Sequence, residues 1–149
     1  VELGVSEIVP VMMKRTIVKL EDSKKELKKL ERWRTISLTA AKQSGRIIVP
    51  EVAEFITFDE AVKRAESLEF NLIPYENEKG MDRARELVKE ANGKKSIGIF
   101  IGPEGGISEE ELELAVKMGA EPISLGNRIL RTETAGLALI SVLAFEIDI

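Results

Sequence analysis

Short apolar runs alternate along this chain with stretches whose apolar residues recur at helical spacing. Runs of the first kind are typical of buried strands, and stretches of the second kind are typical of amphipathic helices packed on a sheet. Their alternation predicts an α/β fold with a mostly parallel sheet flanked by helices. With 149 residues, 44% of them hydrophobic, the chain can bury one core, so we assign residues 1–149 to a single domain.

The predicted helices have recognisable ends. Thr57 with Glu60, and Ser108 with Glu111, have the spacing of a capping box, in which each side chain bonds to the amide of the other residue at a helix start. The pattern predicts helices at residues 23–44, 57–67, 81–91, 108–118 and 132–147, and strands at residues 8–12, 70–75, 96–101 and 122–125.

The last predicted helix lacks a polar face. Between residues 135 and 145 its only polar side chain is the hydroxyl of Ser141. Because a helix that is apolar all round has to be buried, we expect either the core or a second subunit to cover it.

The absence of two residue types excludes whole classes of function. The chain has no cysteine, which rules out disulfides and thiolate zinc sites, and no histidine, which removes the commonest metal ligand and general base. Ser-His-Asp hydrolases, Cys-His proteases and histidine-bearing metalloenzymes are therefore excluded, and we expect no metal. No apolar run approaches the roughly 20 residues that span a bilayer, so we expect a cytoplasmic protein with no membrane partner.

Charge is distributed unevenly along the chain. Residues 14–46 carry eleven basic against four acidic residues, a net charge of +7, which leaves eleven basic against 22 acidic residues elsewhere. A basic segment on an acidic body is compatible with binding a phosphate backbone. The alternative is an ordinary solvated face of a charged helix.

A glycine-rich loop follows the predicted strand 96–101. In an open α/β sheet, the carboxyl end of a strand is where ligands bind, and glycines let the backbone approach a ligand closely. The loop does not match the Walker phosphate-binding loop, and the carboxylate of Glu104 would repel a bound phosphate. An enzyme that binds a nucleotide phosphate in this loop is therefore the less favoured interpretation. A tight turn with no ligand is the other alternative. The loop comprises Gly102, Pro103, Glu104, Gly105 and Gly106.

A second loop joins the predicted strand 122–125 to the last helix, and two such loops can face each other across one crevice. Ile129 and Leu130 are apolar residues in a charged loop and could line an adenine-sized slot. The negative charge of Glu133 at a helix start is explained by the helix dipole alone. The positive charge of Arg131 is unfavourable at the same end of the helix, so Arg131 is the better functional candidate. A third cluster is basic and polar, and suits RNA contacts; it comprises Lys14, Arg15, Gln43, Ser44 and Arg46.

These two loops together resemble the paired signature of the RsmE family. The first is residues 102–106, and the second is residues 125–135, which read Leu-Gly-Asn-Arg-Ile-Leu-Arg-Thr-Glu-Thr-Ala. Residues 2–5, the pair Lys14-Arg15 and residues 40–46 resemble the same family in the same order. The resemblance spans nearly the whole chain.

The resemblance implies methylation of N3 of a uridine in 16S ribosomal RNA of the small subunit, with S-adenosyl-L-methionine as donor. It implies the SPOUT fold, whose C-terminal segment is threaded into a deep trefoil knot, although threaded connections are almost absent from proteins in general. It covers the methyltransferase domain without the family's N-terminal RNA-binding barrel domain, and we expect material upstream of Val1. Family members are homodimers, and the C-terminal helix would pack against its counterpart.

The chemistry of methyl transfer suggests catalytic residues, and the resemblance implies the cofactor pocket. Arg15 and Arg131 would stabilise the uridine anion and place the RNA, with Glu133 as a minor candidate base, since no histidine is available. Lys14, Gln43, Ser44 and Arg46 would contact RNA together with Arg15. The cofactor pocket would be formed mostly by main-chain groups of Leu72, Gly102, Pro103, Glu104, Gly105, Leu125, Gly126, Arg128, Ile129, Leu130 and Arg131.

Two alternatives keep the same fold. One is a non-catalytic RNA-binding module, which would bind the cofactor without transferring a methyl group to any RNA. The other is an enzyme that methylates a ribose 2′-hydroxyl instead of a base.

Overall fold

The computed structural model describes residues 1–16, 23–78 and 80–147. Its elements, in chain order, are β1 (Glu7–Ile8), β2 (Val11–Met12), α1 (Ser23–Gln43), β3 (Glu51–Val52), β4 (Ile56–Thr57), α2 (Phe58–Ala65), β5 (Phe70–Pro74), α3 (Met81–Glu90), β6 (Ile97–Ile99), α4 (Glu109–Lys117), β7 (Ala120–Ile123) and α5 (Thr132–Glu146).

Each strand pairing between described residues is parallel. β1 pairs with β3, β2 pairs with β4, and β5 lies between β6 and β7 in a three-stranded sheet. The predicted α/β fold with parallel sheets flanked by helices is therefore confirmed. Because parallel strands end at the same edge, the loops after β5, β6 and β7 meet there.

The central strand β5 separates two hydrophobic clusters. Leu72 packs in a cluster with residues of α3 and α5, including Leu87 and Leu139. Its neighbour Ile73 packs in a second cluster with residues of α2 and α4, including Val62. Successive side chains of a strand point to opposite faces, so one strand can anchor helices on both sides of the sheet.

Predicted and observed elements differ where strands are very short. The predicted strand 8–12 is two strands, because Pro10 lacks an amide hydrogen and the chain changes partner there, from β3 to β4. The two-residue strands β3 and β4 were not predicted, since two residues show no periodicity. β7 begins directly after Gly119, whose φ is +96°, two residues before the predicted strand. Both predicted capping boxes are confirmed.

Helix α5 is covered by its own chain on one side only. Leu139 and Leu143 are buried, whereas Leu137, Val142 and Phe145 are exposed, the last at 93%. Within the described ranges, no helix combines the length and the apolar character required to cross a bilayer.

We expect the replacement Gly98→Ala to destabilise the sheet. Gly98 lies opposite Asn71 on β5, and a Cβ atom at Gly98 would be 2.2 Å from Oδ1 of Asn71 and 2.8 Å from Cδ1 of Leu68. Asn71 is buried and donates to the carbonyl of Ala65 at 2.9 Å, so it cannot move without breaking that bond. Overpacking of this kind lowers the free energy of unfolding by about 1–3 kcal/mol, measurable by urea denaturation.

The matched control is Gly136→Ala in α5. A Cβ atom there would make an ordinary contact of 3.6 Å with Ile101. Alanine is favoured over glycine inside a helix by about 0.5–1 kcal/mol, so this variant should be as stable as the wild type or slightly more so. Equal losses of stability in both variants would contradict the prediction.

Candidate functional site

One open pocket lies where the loops after β5, β6 and β7 meet. Its empty space, including open solvent at the mouth, is about 740 Å³. Its wall is formed by aliphatic side chains, two prolines, three glycines, one phenol, one side-chain amide, one hydroxyl, one carboxylate and one guanidinium. The lining residues are Pro74, Tyr75, Glu76, Ile101, Gly102, Pro103, Gly106, Ile107, Leu125, Gly126, Asn127, Arg128, Ile129, Leu130, Thr132 and Ala135.

The glycine-rich loop forms one wall of this pocket. A Cβ atom at Gly102 would be only 2.6 Å from Cγ1 of the buried Ile107, so only glycine fits at this position without a shift. The amide of Gly106 donates to the carbonyl of Pro103 at 2.9 Å, and the φ of Gly106 is +74°. The loop is thus a closed turn whose two pocket-lining glycines, Gly102 and Gly106, place no side chain in the pocket.

The loop after β7 forms the opposite wall. Gly126 has a φ of +108°, which favours glycine. In the described part of the chain, the main-chain amides of residues 127–130 donate to no protein acceptor. Ile129 is 83% exposed. Unpaired amides beside apolar side chains are suited to hold a flat heterocycle that needs both hydrogen bonds and apolar contact.

Arg15 connects the segment after β2 to the glycine-rich loop. Its guanidinium donates to the carbonyls of Gly105 and Ile107 at 3.3 and 3.5 Å. A Cβ atom at Gly105 would be 3.1 Å from Cβ of Arg15, so the two segments are in close contact. The fold therefore brings together two candidate residues that are 90 positions apart in sequence.

Glu111 fixes the segment that carries Lys14 and Arg15. Its carboxylate is buried and accepts hydrogen bonds from the amide of Lys14 at 2.8 Å and from the amide and hydroxyl of Ser108 at 3.1 and 2.8 Å. Burial alone would raise the pKa of Glu111, but these hydrogen bonds and the charge of Lys14 outweigh it and hold the pKa below the ordinary value of 4.5.

Because of this lowered pKa, we expect Glu111→Gln to lower the free energy of unfolding near neutral pH by about 1–3 kcal/mol. A carboxylate whose pKa is lower in the folded than in the unfolded protein stabilises the fold fully above the unfolded value, here 4.5, and loses this effect as the pH falls through the folded value. The difference between wild type and variant should therefore shrink in acid. Urea denaturation at several pH values measures it, with Glu113→Gln, an exposed position on the same helix, as control.

A family model described as an RNA methyltransferase domain matches residues 1–144. The chain belongs to this family. It is 36% identical to ribosomal RNA small subunit methyltransferase E of Bacillus subtilis over 99% of this chain and 59% of that protein. The resemblance to RsmE is thus confirmed, and the chain spans between 41% and 59% of the length of the curated relatives it matches.

Solved structures agree with this membership. A protein of Legionella pneumophila solved in complex with S-adenosyl-L-methionine has a TM-score of 0.86 and 36% identity, covering 98% of this chain and 57% of that chain. The ribosomal RNA small subunit methyltransferase E of Neisseria gonorrhoeae, also bound to S-adenosyl methionine, has a TM-score of 0.83 and 39% identity, covering 97% and 56%.

Not every predicted cofactor residue lies in the pocket of this RNA methyltransferase domain. Leu72 is fully buried beneath it, and Glu104 and Gly105 are exposed beside it. Arg131 occupies the N-cap position of α5 with its side chain 86% exposed, 4.0 Å from Glu133, and neither residue lines the pocket. The remaining predicted cofactor residues are brought together there: Gly102, Pro103, Leu125, Gly126, Arg128, Ile129 and Leu130.

The predicted RNA-contacting residues are spread over two places. Lys14 lies beside Arg15 and forms an ion pair with Glu110. Gln43 and Ser44 are exposed at the end of α1. Arg46 donates to the carbonyls of Val1, Gly4 and Val5, so its guanidinium fastens the N-terminal segment of the domain. The roles of these side chains toward RNA stay predictions.

Sequence reasoning missed the contribution of the loop after β5. Pro74, Tyr75 and Glu76 line the pocket. The available signal was the rule already applied to the other loops, since 70–75 was predicted as a strand and its carboxyl end should also face the ligand. Among the described residues, no group of three or more carboxylates is placed to hold a metal ion.

Proposed function

We propose that this chain is the catalytic domain of an enzyme that methylates N3 of a uridine in small-subunit ribosomal RNA, with S-adenosyl-L-methionine as donor. The observation that carries the proposal is the pocket: glycines and unpaired amides at the carboxyl ends of three parallel strands, in a chain 36–39% identical to proteins solved with that cofactor. The names of the relatives supply the substrate class.

The residues present fit the cofactor. Its adenine requires apolar walls and main-chain hydrogen bonds, which Leu125, Leu130 and the amides of residues 127–130 can provide. Gly102 and Gly126 leave room for the backbone to approach the ribose and the amino-acid tail. The lining has no lysine, and its carboxylate, Glu76, tolerates a cationic sulfonium. When bound, the cofactor supplies an electrophilic methyl group.

The protein contributes position and electrostatics to this reaction. Arg15, held against the glycine-rich loop, stabilises the negative charge that develops on the uridine. Arg131 is exposed at the rim beside the pocket and contacts the RNA that carries the uridine. Glu133 lies next to Arg131 at the same rim. We propose a cytoplasmic location for this reaction, which agrees with a ribosomal RNA substrate.

We further propose the SPOUT topology with its C-terminal trefoil knot and a homodimer formed through α5. The exposed apolar side chains of this helix support the dimer, because a fully solvated surface of this kind is unfavourable. Phe145→Asp should place a charge in the interface and convert the dimer into a monomer, measured by light scattering. The same replacement at Met118, the exposed residue directly after α4, should leave the mass unchanged; a dimeric Phe145→Asp variant would contradict the proposal.

Two measurements on the wild-type chain test the proposed function. Calorimetric titration with S-adenosylhomocysteine should show saturable binding. Transfer of labelled methyl groups to small-subunit RNA, followed by nucleoside analysis, should yield N3-methyluridine. Binding without transfer to any RNA would favour a non-catalytic module, and a ribose-methylated product would change the target atom.

A further inference from the structure

The carboxylate of Glu76, which lines the pocket, and the guanidinium of Arg15, which lies outside the lining, flank Gly106. A Cβ atom at Gly106 would be 3.7 Å from Nη1 of Arg15 and 3.7 and 3.9 Å from the two carboxylate oxygens of Glu76. The nearest oxygen and this nitrogen are thus at most 7.4 Å apart, twice 3.7 Å. Within the described residues the two groups form no ion pair. Glycine leaves the space between them open.

The two groups differ in how they are held. Arg15 is fixed by two hydrogen bonds from Nη1 to the carbonyls of Gly105 and Ile107, so a ligand has to be bound by another nitrogen of its guanidinium. Glu76 follows β5, lines the pocket and is exposed, and in the described part of the chain its carboxylate has no hydrogen-bond partner. The other charged residue of the lining is Arg128, and Glu104 on the glycine-rich loop is exposed outside it. Glu76 is therefore the carboxylate that a ligand in this pocket can reach.

The two groups match the edge of a uracil base in hydrogen-bonding character. Uracil N3–H is a donor that lies between two carbonyl acceptors, so its complement is an acceptor beside a donor. A carboxylate accepts hydrogen bonds and a guanidinium only donates them. Loss of the N3 proton leaves a negative charge shared with the carbonyl oxygens, which an adjacent guanidinium stabilises.

We infer that Glu76 is the catalytic proton acceptor of this domain and that Arg15 binds the adjoining uracil carbonyl, an assignment that rests on the proposed uridine-N3 methylation. The N3–H bond breaks and its proton passes to a carboxylate oxygen of Glu76. The electron pair left on N3 bonds to the methyl carbon, and the pair of the breaking carbon–sulfur bond stays on sulfur, giving the neutral thioether. Exposed Glu76 then returns the proton to solvent. Glu76 thus takes the role of base for which Glu133 was the candidate in the sequence, because Glu133 does not line the pocket.

The test compares Glu76→Gln with wild type in single-turnover methylation of uridine-containing small-subunit RNA. Glutamine keeps the shape but cannot accept the proton, so we expect a rate loss of about 100-fold or more. Affinity for S-adenosylhomocysteine and the melting temperature should change little. Raising the pH from about 7 to 9 should restore part of the variant's rate, because more of the uridine N3 is then already ionised.

The controls separate this inference from the proposed function. Glu113→Gln, an exposed carboxylate on α4, should react as wild type, and Glu76→Asp should recover part of the rate. A Glu76→Gln rate within about threefold of an active wild type would overturn the inference and leave the proposed function standing. Equal losses of rate and cofactor affinity would overturn it too, by assigning Glu76 to cofactor binding. A wild-type chain that methylates no uridine would overturn both.

Discussion

Replacement of Arg15 by alanine is expected to slow methyl transfer to RNA by about 100-fold or more, since removal of one preorganised donor to a developing anion has effects of this size. Arg15→Lys should recover only part of the rate, because an ammonium cannot hold the carbonyls of Gly105 and Ile107 with the planar geometry of a guanidinium. Single-turnover kinetics with saturating cofactor measures the effect.

The control is Arg85→Ala, which removes an exposed arginine paired with Asp82 on α3, away from the pocket. Its rate should match the wild type. If the Arg15→Ala variant loses affinity for S-adenosylhomocysteine as much as it loses rate, Arg15 serves the shape of the loop alone. If the variant reacts as fast as the wild type, Arg15 neither stabilises the uridine anion nor binds the uracil carbonyl.

The second large effect is expected from Gly102→Ala. The added Cβ atom would be 2.6 Å from Cγ1 and 3.3 Å from Cδ1 of Ile107, a buried residue packed beneath the loop. Either Ile107 or the loop must shift, at a cost of about 1–3 kcal/mol. Since every 1.4 kcal/mol is a factor of ten in a binding constant, affinity for S-adenosylhomocysteine should fall by about 10- to 100-fold. Calorimetric titration measures the loss.

Gly136→Ala is again the matched control, because its Cβ atom finds ordinary contacts and should leave affinity close to the wild-type value. A Gly102→Ala variant that binds the cofactor analogue as tightly as this control would show that the turn adapts, and that glycine is not required at the wall of the pocket.

Local patterns predicted the long elements and the regions of the two loops. The capping boxes at Thr57 and Ser108 were correct because they depend on hydrogen bonds between residues three apart. The glycine-rich loop was also located correctly, because its position directly after a buried strand is visible in the sequence. The strands β3 and β4 escaped prediction because two residues become a strand only when a distant partner is in register.

The sequence by itself determined the α/β class, the ends of the main helices, the absence of histidine and cysteine chemistry, and the motifs shared with RNA methyltransferases. Only the tertiary structure decided which side chains meet. It placed Arg15 on a loop 90 residues away, put Glu76 at the pocket and left Glu133 outside it. The reason is physical: periodicity and capping act over a few residues, whereas a site at a sheet edge depends on the strand order β6-β5-β7, which joins loops distant in the chain.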